Sequence, residues 1–513
     1  MTDYTIVRGG RVLDAATRSA PVRDILIAGG KILEVGKPGL AAPADAATVD
    51  AGRHLLHPGL VNGHTHGTGA LMRGFRDRIN LELLLVILPA RFSHQTLQIK
   101  YLNTYLGAVE MALKGCTLAY DLTFGLPAAS IEELVVMGQA YRDAGIRAVM
   151  SPMLSDTSFY AAQPGLLESL SPPLRALIPG DGRADTTAIL GLMKTALQDW
   201  PHDRDHVKLG VAPTIPTHCS DELMRGSGRL VREFDTVMQS HVGEAKFQAI
   251  VAEQRYGKSM LAHVDDLRLI GPHFSVAHGI WLDDDDLRRL ADKGASISHN
   301  PGSNMRLGAG IADARRMLEL GVNLAIGTDG PACSDNVNMY EAMRAAAQVS
   351  QVRQPDHRLW LTAPEIVGAA TEGGARMAGF PHVGAIAPGK RADIVFLALD
   401  HPNWMPVNDP ASQLVFAEDA TAVRHVMVDG NFIVRDGRHL TADLPRLAEE
   451  AEAARQHLLS ANAEETARAA LLEDAVTDFC RSLSTRPYRV ERYAAFPCAC
   501  QAAPPGFVAD AVG

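Results

Sequence analysis

The sequence predicts an α/β protein with a parallel sheet at its centre and a small β domain made from both chain ends. Three observations carry this. Short apolar strands alternate with helical stretches through the middle of the chain. Residues 1–57 and 385–440 share a different, hairpin-rich texture. Polar residues recur where the central strands end.

The flanks come first. "YTIVRGGRVLD" and "VRDILIAGGKILEVG" are short β runs joined by Gly-rich turns, and the texture returns in "GAIAPGKRADIVFLAL" and "VRHVMVDGNFIVRDG". Between them, "IEELVVMGQAYRDAG" reads as a helix before the strand "IRAVMSPM". "SDELMRGSGRLVREFD" likewise precedes "TVMQSHVGE", "DDLRRLADKG" precedes "ASISHNP", and "ARRMLELG" precedes "VNLAIGTDG". The segment 58–384 exceeds the roughly 250 residues of a typical eight-stranded α/β barrel and leaves room for long loops. A doubly wound open sheet is the rival, but nothing resembles the GxGxxG turn of its dinucleotide-binding version. Residues 441–513 form an extension. "LPRLAEEAEAARQHLLSANAEETARAALLEDAV" is helical, and the closing "AAFPCACQAAPPGFVADAVG" is a Pro- and Ala-rich tail. No internal repeat is visible.

Composition narrows the function. The formal net charge of −10 disfavours nucleic acid or an anionic membrane as main partner. No apolar run approaches the roughly 18–20 residues of a spanning helix, and the N-terminus shows no basic segment followed by an apolar core. Six scattered cysteines suit a reducing cytoplasm. Cys498 and Cys500 read as an incidental tail pair, since two ligands do not make a zinc knuckle.

The strand ends carry the chemistry. "LLHPGLVNGHTH" ends in His64 and His66, which point to the same side of a strand. "TVMQSHVGE" supplies His241 and Glu244, "FSVAHG" His278, "ASISHNP" His299 and "LAIGTDG" Asp329. Taken singly, a histidine after a strand is more often a hydrogen-bonded loop residue than a ligand, and "TDG" is a turn sequence. Together, five histidines and two acids at successive strand ends predict a metal site. Imidazoles plus one carboxylate suit zinc or iron and leave room for an activated water.

"HPGLVNGHTH", "SHVGEAKFQ", the run from "VAHGIWLDDDDLRRLADKG" to "GTDG", and "GAIAPGKRADIVF" resemble the amidohydrolase superfamily. The resemblance is to its branch of cytosine, guanine and adenosylhomocysteine deaminases and triazine hydrolases, and it spans roughly residues 1–440. It implies a distorted (β/α)₈ TIM barrel with a small β-sandwich from both flanks, and a mononuclear site. His64, His66, His241 and Asp329 match the metal ligands, and Asp329 also matches the acceptor of the water's proton. Glu244 matches the proton shuttle to a ring nitrogen. His278 matches the histidine that polarises substrate or orients water. His299 and Asn304 match a segment of partly structural role that also borders substrate. Lys208 begins its strand rather than ending it, which argues against a second metal.

The resemblance implies one divalent metal per chain, zinc foremost with iron or manganese as alternatives, and hydrolytic deamination of a purine, pyrimidine, pterin or s-triazine. The same machinery cleaves amides or cyclic amides and displaces chloride or alkylamines in relatives. A non-catalytic structural relative would lack ligands that this chain keeps. The resemblance also implies a homo-oligomer, dimer or tetramer, with the C-terminal extension either at the contact or over the barrel. Arg73 and Glu82 fall where relatives place an RG motif and a loop acid, and each either binds substrate or braces the loop. Thr214 stands where adenosine-type deaminases have histidine, with His218 nearby. With the spelling "HVGEA", this departure points away from adenosylhomocysteine as substrate. Trp281 is expected in the core.

Overall fold

The computed structural model describes residues 4–493 apart from positions 179, 181 and 335. Strands from both chain ends join in one sheet. The first five are β1 (Tyr4–Val12), β2 (Val22–Ala28), β3 (Lys31–Gly36), β4 (Ala47–Asp50) and β5 (His54–Pro58). The late strands β15 (Ile394–Ala398), β16 (Val423–Val428), β17 (Asn431–Arg435) and β18 (Arg438–His439) enter through β15, which runs antiparallel to β5 with Val395 opposite His57. Gly29-Gly30, Asp429-Gly430 and Asp436-Gly437 have positive φ at both positions, the backbone that two-residue hairpin loops require. Val7, Ile25, Ile27, Ile32, Leu56, Ile394, Phe396 and Met427 form the buried cluster these strands enclose.

The middle of the chain is a distorted α/β barrel. β6 (Leu60–Thr65), β7 (Cys116–Thr123) and β8 (Arg147–Leu154) are parallel neighbours. The fourth position is broken into β9 (Val207–Leu209) and β10 (Ala212–Pro213), both paired with β8. β11 (Met238–Val242), β12 (Phe274–His278), β13 (Ser296–His299) and β14 (Asn323–Ile326) form a second parallel sheet. A single bridge between Val211 and Met238 joins the two sheets on one side. On the other, the Asp329 N–H donates to the His64 carbonyl at 2.9 Å. Every residue of β7 and β8 is buried, as expected for strands covered by helices outside and side chains inside. The helices between strands start and stop on local signals. Ile131–Ala144, for one, opens with a Ser130/Glu133 capping box and closes on Gly145 at φ +76°.

The C-terminal extension covers the barrel. The helix Leu444–Ala461 buries Leu447, Ala454 and Leu458 against Ile99 and Leu102. Leu472, Val476, Cys480 and Leu483, further along the extension, pack with Leu81, Val86, Phe247 and Ile250. Trp281 is fully buried, as expected. Among the described residues no helix is long and apolar enough to cross a membrane. Cys498 and Cys500 lie outside the described residues.

Candidate metal centre and active site

The mouth at the C-terminal ends of the barrel strands gathers His64, His66, His241, His278, Glu244 and Asp329, as barrel geometry directs. His64 and His66 reach the same side because they are two residues apart on and just beyond β6. Three imidazoles are locked through Nδ1. His64 Nδ1 donates to Gln239 Oε1, His66 Nδ1 to the Leu122 carbonyl and His241 Nδ1 to the Thr214 carbonyl, each at 2.7 Å. With the proton on Nδ1, each Nε2 presents a lone pair to one point, the outer-shell arrangement that orients metal-binding histidines.

The spacing fits an ion. His64 Nε2 and His66 Nε2 lie 3.5 and 3.3 Å from Asp329 Oδ1, and His66 Nε2 lies 3.4 Å from His241 Nε2. Ligands about 2.1 Å from one tetrahedral ion stand about 3.4 Å apart. His64 Nε2 is buried and has no hydrogen-bond partner, a costly state for an acceptor unless a cation satisfies it. These residues therefore suit a single divalent cation. Asp329 is fixed by two donors: Ser303 Oγ donates to Oδ2 at 2.6 Å and the Gly330 N–H to Oδ1 at 2.7 Å. Position 330 must be glycine, because a Cβ there would sit 2.8 Å from that of His66.

Two groups face this cluster. His278 donates from Nδ1 to Asn304 Oδ1 at 2.9 Å. Its Nε2 is 3.6 Å from Glu244 Oε1 and 3.8 Å from Asp329 Oδ2. Burial pushes the His278 imidazole down to about 4, so it is neutral, and with Nδ1 donating its Nε2 is an acceptor. Burial, with the Asp329 carboxylate nearby, pushes the Glu244 carboxyl well above the usual range.

A cavity of about 510 Å³ opens over the cluster, with Glu244, His241 and Asp329 in its floor. Its wall is apolar: Leu81, Leu84, Leu85, Leu88 and Phe92 from one helix, with Phe124, Met153, Phe159 and Ile215. Thr214 and His218 line it. Burial pushes the His218 imidazole down to about 3, leaving it neutral.

The other candidates for substrate contact are placed differently. Arg73 forms an ion pair with Glu110, the bracing alternative. Glu82 turns to the neighbouring cavity beside Ala245 and Ser484, where Asn80 Nδ2 donates to it at 2.7 Å. Helix Leu81–Phe92 has one face over the active site, and position 82 lies on the next face. Asn304 acts on His278 rather than on the cavity, and among the described residues buried His299 has no hydrogen-bond partner at either ring nitrogen. Lys208 donates to the Gly379 carbonyl at 2.8 Å, outside the cluster. Sequence reading missed Gln239 and Ser303. Gln239 had a usable signal, since it lies two residues before His241 on the same face of β11.

A model described as "Amidohydrolase family" matches residues 55–433. The chain is 31% identical to a 5'-deoxyadenosine deaminase of Methanothermobacter thermautotrophicus over 88% of this chain and 98% of the relative. It is 30% identical to a 5-methylthioadenosine/S-adenosylhomocysteine deaminase of Nitratidesulfovibrio vulgaris over 85% of this chain and 92% of the relative. An adenosine deaminase structure from Xanthomonas campestris with bound zinc superposes with a TM-score of 0.78 at 25% identity, covering 89% of this chain and 98% of that one. A zinc complex of atrazine chlorohydrolase from Arthrobacter aurescens shares the fold, with a TM-score of 0.77 at 24% identity over 88% and 100% of the two chains.

Proposed function

This chain belongs to the amidohydrolase family, and from that premise we propose that it is a metal-dependent hydrolase that deaminates a nitrogen heterocycle. The observation that carries the proposal is the convergence of three Nδ1-locked imidazoles and Asp329 on one point beneath a cavity into which Glu244 faces. The apolar wall suits a flat aromatic ring, and the deaminase names of the relatives suit an exocyclic amine as leaving group.

His64, His66, His241 and Asp329 would hold the metal. When bound, a divalent cation lowers the pKa of water enough to supply a hydroxide nucleophile near neutral pH. Asp329 takes a proton from the attacking water on its carboxylate. His278, with its Nδ1–H spent on Asn304, holds that water as an acceptor through Nε2. Glu244 donates a proton to the ring nitrogen beside the attacked carbon, where negative charge develops. The amine leaves as ammonia after a second proton reaches it through Glu244 and Asp329. Zinc is the proposed metal, supported by the donor set and by the zinc-bound structural neighbour. A cytoplasmic homo-oligomer is the proposed setting, supported by the scattered cysteines and the family resemblance.

Metal analysis of the purified chain, combined with an ammonia-release screen over purines, pyrimidines, pterins and s-triazines, tests this. The expected result is one metal per chain and stoichiometric ammonia from one ring class. One metal with no ammonia from any of them would overturn deamination in favour of amide cleavage or displacement of another leaving group. No metal after supplementation would overturn the whole reading.

A further inference from the structure

The turns that carry Glu244 and His278 are strained and share a support. His278 is a non-glycine residue at φ +73°, and Gly279 follows at +60°. The turn after β11 passes through Gly243 at φ +63°. A residue such as His278 holds this left-handed backbone only where its surroundings over-determine it. The two turns are tied to each other, since the Trp281 N–H donates to the Gly243 carbonyl at 2.8 Å.

The surroundings come from the far end of the chain. Arg492 is buried, and its guanidinium donates from Nε to the Ile280 carbonyl at 2.9 Å and from Nη2 to the Leu282 carbonyl at 2.8 Å. Its Nη1 lies 3.4 Å from Asp313 Oδ2, and its own carbonyl accepts from the Ile311 N–H at 2.8 Å. Beside it, Tyr493 packs edge-on against Trp281, with ring centroids 5.0 Å apart. The Lys246 ammonium, two residues after Glu244, lies over both rings and 3.6 Å from Glu491. A rigid planar fork buried against two backbone carbonyls of one turn fixes the path of that turn.

We propose that residues 491–493 form a clamp on the two catalytic turns, with Arg492 as a positioning residue that holds His278 through the Ile280 and Leu282 carbonyls. The clamp lies outside residues 55–433, which the family model matches. It gives the C-terminal extension a role beyond covering the barrel. The catalytic roles of Glu244 and His278 rest on the proposed function, but the clamp itself does not.

The test uses the full chain loaded with zinc, and Arg492→Met, which keeps the aliphatic stem and removes the donors. Hydrogen exchange is read by peptide. We expect amide protection to fall at least tenfold in 279–283 and 243–246, with β1–β3 peptides and metal content unchanged. With 5'-deoxyadenosine, or whichever heterocycle from the ammonia screen the wild type turns over, kcat should fall roughly 100-fold with KM held within about twofold. Millimolar guanidinium added to Arg492→Ala should restore part of the protection and of kcat. Unchanged exchange in 279–283 in a metal-loaded Arg492→Met protein would overturn the clamp. If Arg492→Met does not fold, Arg492→Lys decides. A flexible ammonium lacks the rigid fork that sets Nε and Nη2 on the two carbonyls at once, so partial loss of protection supports the clamp and wild-type protection overturns it. If the wild type releases ammonia from no heterocycle, the proposed function falls, and the exchange measurement still decides the clamp.

Discussion

The floor and the wall of the active-site cavity are built on different principles. Floor groups stand at strand ends, where parallel ladders fix the backbone. Each of the three histidines proposed as ligands has its outer nitrogen spent on a protein acceptor. The wall combines one helix, Leu81–Phe92, packed against the C-terminal extension by its other face, with apolar side chains from the strand ends and the segments after them, among them Phe124, Met153, Phe159 and Ile215. The floor tolerates little because several groups must meet at one point. The wall needs only apolar volume, so reaction type and substrate choice are encoded in different parts of the chain.

Substitutions sharpen this contrast. The largest effect is expected at the floor: Glu244→Gln should lower kcat by about 10²–10⁴-fold while metal content stays at the wild-type level. Single-turnover kinetics beside metal analysis check this, and near-wild-type turnover would break the assigned proton path. One layer out, Gln239→Ala frees the His64 ring, and metal affinity should fall about 10–100-fold in chelator competition. The wall should answer differently. Leu84→Ala should raise KM on the order of tenfold with kcat held, because it removes contact made equally in ground and transition states. A fall in kcat instead would show that the wall also orients the ring.

The smallest effect concerns stability. Burial pushes the Glu82 carboxyl up to about 6, above its ordinary 4.5. The folded protein then binds more protons than the unfolded chain between these values, so this group lowers stability as pH rises through that window. The penalty is absent below pH 4.5 and amounts to about 2 kcal/mol above pH 6. Glu82→Gln should therefore match the wild type at pH 4 and exceed it at pH 7 in calorimetric Tm. Equal shifts at both pH values would show that Glu82 contributes through packing alone.

Much of the site was legible because strand geometry is local. The two-residue spacing of His64 and His66 aims both at one side, and barrel strands end at one mouth, so the type and order of the side chains that gather there could be read along the chain. The same rule would have found Gln239. It could not reveal that Leu122 and Thr214 supply backbone acceptors to His66 and His241, since a carbonyl leaves no mark in a sequence. Helix Leu81–Phe92 was opaque for another reason. In "LELLLVILPARF" nearly every position is apolar, so no face stands out, and only packing decided that Leu84 meets the cavity while Glu82 turns away.

By itself, then, the sequence determined the α/β barrel, the β domain drawn from both ends, and a cluster of imidazoles and carboxylates at the strand ends. These follow from periodicity and residue chemistry, which act over a few residues. The tertiary structure decided which nitrogen each histidine presents, which way Glu82 faces, and that Arg492 closes on a turn more than 200 residues before it. Those outcomes depend on contacts between distant segments, and the free energy of packing settles them only once the chain has folded.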